Sequence, residues 1–123
     1  MKKLTGFLVL IFVFITGSLI AQNSKNSVID INVSSQCNMC KERLEKMLAF
    51  EKGVVNSNLD VETHTLKVTY KPTKTTPEAI KKAISLTGYD ADDVAADAKA
   101  YAKLPDCCKK KADRKDPNAV EKH

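Results

Sequence analysis

The feature that most constrains the fold is a hydrophobic period that switches along residues 27–94 between two residues and about 3.6. Ile29, Ile31 and Val33 alternate with Asp30 and Asn32, which predicts a strand with one buried face over Ser27–Ser34. Cys40, Leu44, Met47 and Leu48 then follow the spacing of a single helical stripe. Asn38 is the expected cap of that helix, Glu42 and Lys46 an outward i,i+4 pair, and Gly53 its stop. Alternation returns in Val55, Ser57, Leu59 and Val61 and, after a turn at Thr63 and His64, in Leu66, Val68 and Tyr70, which predicts a hairpin. Thr76 followed by Pro77 starts a second helix with Ile80, Ala83, Ile84 and Thr87 inward, and Gly88 ends it. A short fourth strand is expected from Tyr89 to Val94.

The order strand, helix, strand, strand, helix, strand is that of the ferredoxin-like α+β fold, an antiparallel four-stranded sheet with two helices on one face. Ile29, Ile31, Val33, Leu44, Met47, Leu48, Leu59, Val61, Leu66, Val68, Ile80 and Ile84 are the expected core. With 123 residues the chain has room for one such domain and not for two of ordinary size.

The flanks divide the rest. Lys2 and Lys3 precede a largely apolar run from Leu4 to Ala21, the pattern of a secretory signal peptide over residues 1–21 cut near Ala21. The uninterrupted stretch Phe7–Ile15 is short for a bilayer span, so a soluble periplasmic product is expected. Residues 22–26 form a linker, 27–95 the domain, 96–108 an extension and 109–123 a basic tail expected to be disordered. Residues 22–108 carry 12 basic and 12 acidic side chains, so the excess positive charge of the mature chain lies in that tail. Its basic residues have no aromatic among them, which argues against nucleic acid, and a monomer is expected.

Four cysteines in an exported chain ordinarily suggest two disulfides, but the spacing here points elsewhere. Cys37 and Cys40 stand three apart where a strand passes into a helix, and Cys107 and Cys108 are adjacent. A thiol at a helix N-terminus faces unpaired N–H groups and the positive end of the helix dipole, which favour the thiolate. Two such thiolates converge on one ion at bonds of roughly 2.3 Å, and sulfur selects soft ions, Cu(I) first, with Hg(II) or Zn(II) as alternatives. The same spacing serves thiol–disulfide exchange, and it also serves an interaction domain whose cysteines form a structural disulfide. Gln36 before the first cysteine and the absence of tryptophan set the chain apart from Trp-Cys-x-x-Cys oxidoreductases. No nucleophile–histidine–acid set, paired carboxylates or phosphate loop is visible, so no enzyme is expected. The acidic run Asp90, Asp92, Asp93 and Asp97 lacks the offsets of a calcium loop and is expected to be a solvated edge.

Strand, cysteine loop, helix, hairpin, helix and the sequence "TGYDA" resemble the heavy-metal-associated domain family over about residues 27–95. The family includes copper chaperones, metal-binding domains of copper-transporting ATPases and the periplasmic mercury-binding protein, and the exported organisation is most similar to the last. Of its Gly-Met-Thr/Ser-Cys-x-x-Cys motif only Cys37 and Cys40 carry over, preceded here by Ser34, Ser35 and Gln36. The resemblance implies an exported metallochaperone or scavenger that passes its ion to a membrane transporter or ATPase, with Tyr89 shielding the metal loop. Met39 between the cysteines is expected to point outward, and His64 to sit near the metal end without binding metal.

Cys107 and Cys108 lie beyond the resemblance. In the predicted topology strand four carries the chain away from Cys37, and the link 95–106, whose alanine-rich part 95–103 can form a helix halted by Pro105, is long enough to climb back. Cys107 or Cys108 is thus a candidate third or fourth ligand. The alternatives are an exposed pair and a disulfide to the Cys37–Cys40 motif.

Overall fold

A computed structural model describes residues 25–114; the expected signal segment 1–21 and residues 115–123 of the tail lie outside the described residues. Strand β1 (Ser27–Asn32) is followed by α1 (Asn38–Ala49), β2 (Val54–Asp60), β3 (Thr65–Tyr70) and α2 (Pro77–Leu86). A short α3 (Ala98–Ala102) and two single 3-10 turns, Asp106–Cys108 and Lys111–Asp113, complete the described chain. None of the described helices is long and apolar enough to cross a membrane.

The sheet is antiparallel with order β1-β3-β2. Ile31 and Leu59 both lie opposite Leu66, and together with Val68 they meet Leu44 and Leu48 of α1 and Ile80 and Ile84 of α2 in one core. Asp30, Asn58 and Lys67 alternate with them on the exposed outer face, so both helices cover the other side. Ile29, Met47 and Val61, expected in the core, are only partly buried at its margin. A bulge between Val54 and Asn56 shifts the phase of β2, so that Val54 packs against the core and Val55, expected inward, is exposed.

The fourth strand is not formed. Residues 89–94 contribute only the isolated bridges Val33↔Ala91 and Ala91↔Val94. Ala91 and Val94 exchange N–H···O bonds of 2.9 Å each, with Asp92 at φ 50, so the chain reverses where a strand would continue. The Asp92 carboxylate accepts from the Asn32 N–H at 2.8 Å, while the Asp92 N–H donates to the Asn32 carbonyl at 2.8 Å. Asp92 thus holds the end of β1 through both its side chain and its backbone N–H, and the turn it occupies ends the pairing there. The chain therefore stays at the end of β1 that leads into Cys37, and the link to Cys107 and Cys108 has no length of sheet to climb.

The helix ends follow capping chemistry. Thr76 accepts from the Ala79 N–H at 3.2 Å with Pro77 at the first position of α2, as expected. In α1 the cap is Cys37 rather than Asn38, and its side chain makes no capping bond. Glu42 and Lys46 are not within ion-pair distance; the pair formed is Lys41–Glu45, 3.7 Å apart. Glu45 also accepts from the Leu59 N–H at 2.8 Å, which ties α1 to β2. Asp97 caps α3 by accepting from Ala100 N–H at 2.9 Å, so that helix is shorter than the alanine-rich stretch suggested.

Candidate metal centre

The loop between β1 and α1 is held from beneath by polar contacts. Ser34 Oγ accepts from the Asp90 N–H at 2.9 Å, and the fully buried Ser35 places its hydroxyl 3.4 Å from His64 Nδ1. The Val33 N–H donates to the His64 carbonyl at 2.9 Å. His64 itself is exposed, at φ 57 in the hairpin turn, and serves the loop rather than the sulfurs. The loop then delivers Cys37 and, one helical turn on, Cys40, whose sulfurs lie 3.6 Å apart. Cys40 Sγ is fully buried and accepts from the Gln36 N–H at 3.4 Å.

A third sulfur joins them. The Sγ atoms of Cys37, Cys40 and Cys108 all lie within 4.8 Å of one another, the one such cluster of candidate ligands among the described residues. Two sulfurs on one ion at bonds of roughly 2.3 Å are at most about 4.6 Å apart, in a linear arrangement. The Cys37–Cys40 separation of 3.6 Å lies within that reach, so both thiolates could hold one ion. All four cysteines are free thiols in this structure.

Cys107 takes a different position: it is exposed, 4.0 Å from the Cys108 sulfur and 3.6 Å from Met39 Sδ. Met39 is half exposed, as its place between the cysteines suggested.

The protonation chemistry of the cluster is uneven. Burial pushes the Cys37 thiol up, but the Cys40 and Met39 N–H groups and the Cys40 and Cys107 thiols outweigh it and hold Cys37 below the ordinary thiol value. Burial, with the neighbouring Cys40 side chain, pushes Cys108 up to about 12. Tyr89 is fully buried, and its hydroxyl makes no hydrogen bond of ordinary length. Burial, together with the adjoining Cys108 and Cys40 sulfurs, raises its pKa far above the usual phenol range. The ring therefore lies beside the sulfurs and is core at the same time.

The acidic run is spent on structure. Asp90 pairs with Lys110 at 2.8 Å and accepts from the Ala96 N–H at 2.8 Å, which together hold its carboxyl below the usual range. Asp92 and Asp93 both face Lys81, at 3.2 and 3.6 Å. The contacts of Ser34 and Ser35 and the Asp90–Lys110 pair carry no sequence signal, because serines in a loop and a lysine in a charged tail find their partners only once the fold brings them near.

The sequence pattern of the heavy-metal-associated domain matches residues 31–90. The copper chaperone CopZ of Staphylococcus haemolyticus is 32% identical over 65 residues, which cover 53% of this chain and 94% of that protein. The chain belongs to the heavy-metal-associated domain family. A copper-exporting P-type ATPase of Staphylococcus epidermidis is also 32% identical over 65 residues, 52% of this chain but only 8% of the ATPase. Oxidized MerP from Ralstonia metallidurans CH34 superposes with a TM-score of 0.53 at 23% identity, over 55% of this chain and 96% of that one, and shows the same fold. The heavy-metal-associated match stops before α3, so Cys107 and Cys108 lie outside the matched residues.

Proposed function

We propose that this protein is an exported metallochaperone or scavenger that holds a soft metal ion, Cu(I) first, on the thiolates of Cys37 and Cys40. It passes the ion by ligand exchange to a membrane metal transporter or ATPase. The observation that carries this reading is the pair of free sulfurs 3.6 Å apart at the start of α1, in a domain whose curated relative is a copper chaperone. Copper in that relative and in the ATPase favours Cu(I) over Hg(II) and Zn(II). Export rests on the amino-terminal Lys2, Lys3 and the apolar run after them.

The test is anaerobic titration of the reduced protein with Cu(I) against a competing chelator. One ion per chain should be withdrawn from the chelator, and Cys37→Ser combined with Cys40→Ser should abolish this. Equal binding by that double variant refutes the reading. Thiol–disulfide exchange is the rival. Insulin reduction that persists after metal removal would decide for the rival. Cell fractionation tests export: the periplasmic fraction should hold a chain starting near Gln22, and an intact N-terminus in washed membranes refutes it.

A further inference from the structure

The extension after α2 does more than end the chain. Leu104 and Cys108 are buried in the domain core, and Cys108 is only 1% exposed over the fully buried Cys40. From this anchorage Cys107 reaches Met39 at 3.6 Å, so the turn Asp106–Cys108 lies across the first turn of α1. The far side of the turn is fastened by polar contacts alone. Lys110 pairs with Asp90 at 2.8 Å, and its N–H donates to the Tyr101 hydroxyl at 3.0 Å. That hydroxyl donates to Asp113 at 2.6 Å, and Arg114 donates to the Cys107 carbonyl at 3.2 Å. Both side chains of the Lys110–Asp90 pair are open to water, 52% and 33% exposed, so the fastening is of the weak, reversible kind.

We propose that residues 96–114 form a tethered lid whose Cys108 completes a three-sulfur site with Cys37 and Cys40, and which must lift before a partner's thiolate reaches the ion. The inference rests on the metal reading of Cys37 and Cys40 and adds to it the regulation of release. The third position around the ion, which an incoming thiolate needs for ligand exchange, is filled from within the same chain. Each of the three thiols gives up its proton as its sulfur takes Cu(I), and no electron moves. Because Cys40 and Cys108 are buried together, a partner gains the ion by displacing the lid and taking the position that Cys108 leaves. Cys107, exposed over Met39, stays outside the coordination sphere. The lid makes the protein a holder that discharges on docking rather than a carrier that exchanges freely.

The experiment is X-ray absorption at the copper edge on the full reduced chain loaded anaerobically with one equivalent of Cu(I), paired with the rate of Cu(I) loss to excess chelator. The native protein should show three sulfurs around copper, corresponding to Cys37, Cys40 and Cys108. Cys108→Ser should lower the count by one and speed release several-fold, whereas Cys107→Ser should leave the count unchanged. Lys110→Ala, which keeps every cysteine, should retain the count while release quickens. That variant and the native count keep the test decisive if Cys108→Ser does not fold. A native count of two, a count unaffected by Cys108→Ser, or a release rate unaffected by Lys110→Ala overturns the lid. Failure of the underlying metal reading looks different: the native chain would then take no Cu(I) from the chelator at all.

Discussion

Tyr89 shows how much one hydroxyl can carry. A buried donor without a partner costs stability, and in the proposed metal-bound state the thiolates beside it supply the acceptor that the free protein lacks. Tyr89→Phe removes the orphan while keeping the ring that packs the core. The metal-free variant should thus be more stable by about 1 kcal/mol, and the additional stability gained on Cu(I) binding should be smaller than in the native protein. Denaturant unfolding with and without Cu(I) measures both differences; a variant less stable without metal, or equally stabilised by it, rejects this role. The resemblance offered the tyrosine as a shield of the metal loop; the structure places it in the core beside Cys40 and Cys108. Ser35 was not legible: a serine where the family places methionine reads as a gap, whereas here it is buried and supported by His64 across the loop.

Among the elements, those whose pattern depends on one face alone were the easiest to read. β1, β3 and α2 follow their alternation or stripe, because each buries one row of apolar residues and exposes the other. Sequence reasoning failed where local polar chemistry overrode the period. The bulge in β2 inserts a residue that no composition announces, and the turn Ala91–Val94, with Asp92 bonded to the Asn32 backbone, stands in place of a fourth strand. The prediction that the extension returns to Cys37 reached the right destination by the wrong route, since the missing strand means the chain never left. Gly88 fixes that short route. It has φ +106, and a Cβ there would come within 3.0 Å of the Ala100 carbonyl carbon and 3.1 Å of the Tyr101 nitrogen. Gly88→Ala should cost roughly 1–3 kcal/mol through the strained backbone and push α3 outward. Thiol labelling of metal-free protein should then reach Cys108 faster than in the native chain, and unchanged labelling together with unchanged unfolding would count against this packing.

At the scale of the whole molecule, the domain and its extension bring three sulfurs together, two on the loop and one on the extension, which the proposed reading makes one metal centre. Joining them in one chain has a consequence for the medium around the protein. A ligand attached to its own site acts at an effective concentration on the order of millimolar or above, whereas a dissolved monothiol acts only at its actual concentration. Small thiols well below that level should leave the native copper environment and release rate unchanged, and should bind copper in the Cys108→Ser protein by filling the vacated position. Equal sensitivity of the two proteins in a thiol titration followed by copper-edge absorption would show that the tether confers no such advantage. On the proposed reading, a recipient presenting two thiolates together meets the extension on equal terms, so the tether would discriminate by valency: scattered thiols refused, a paired acceptor served.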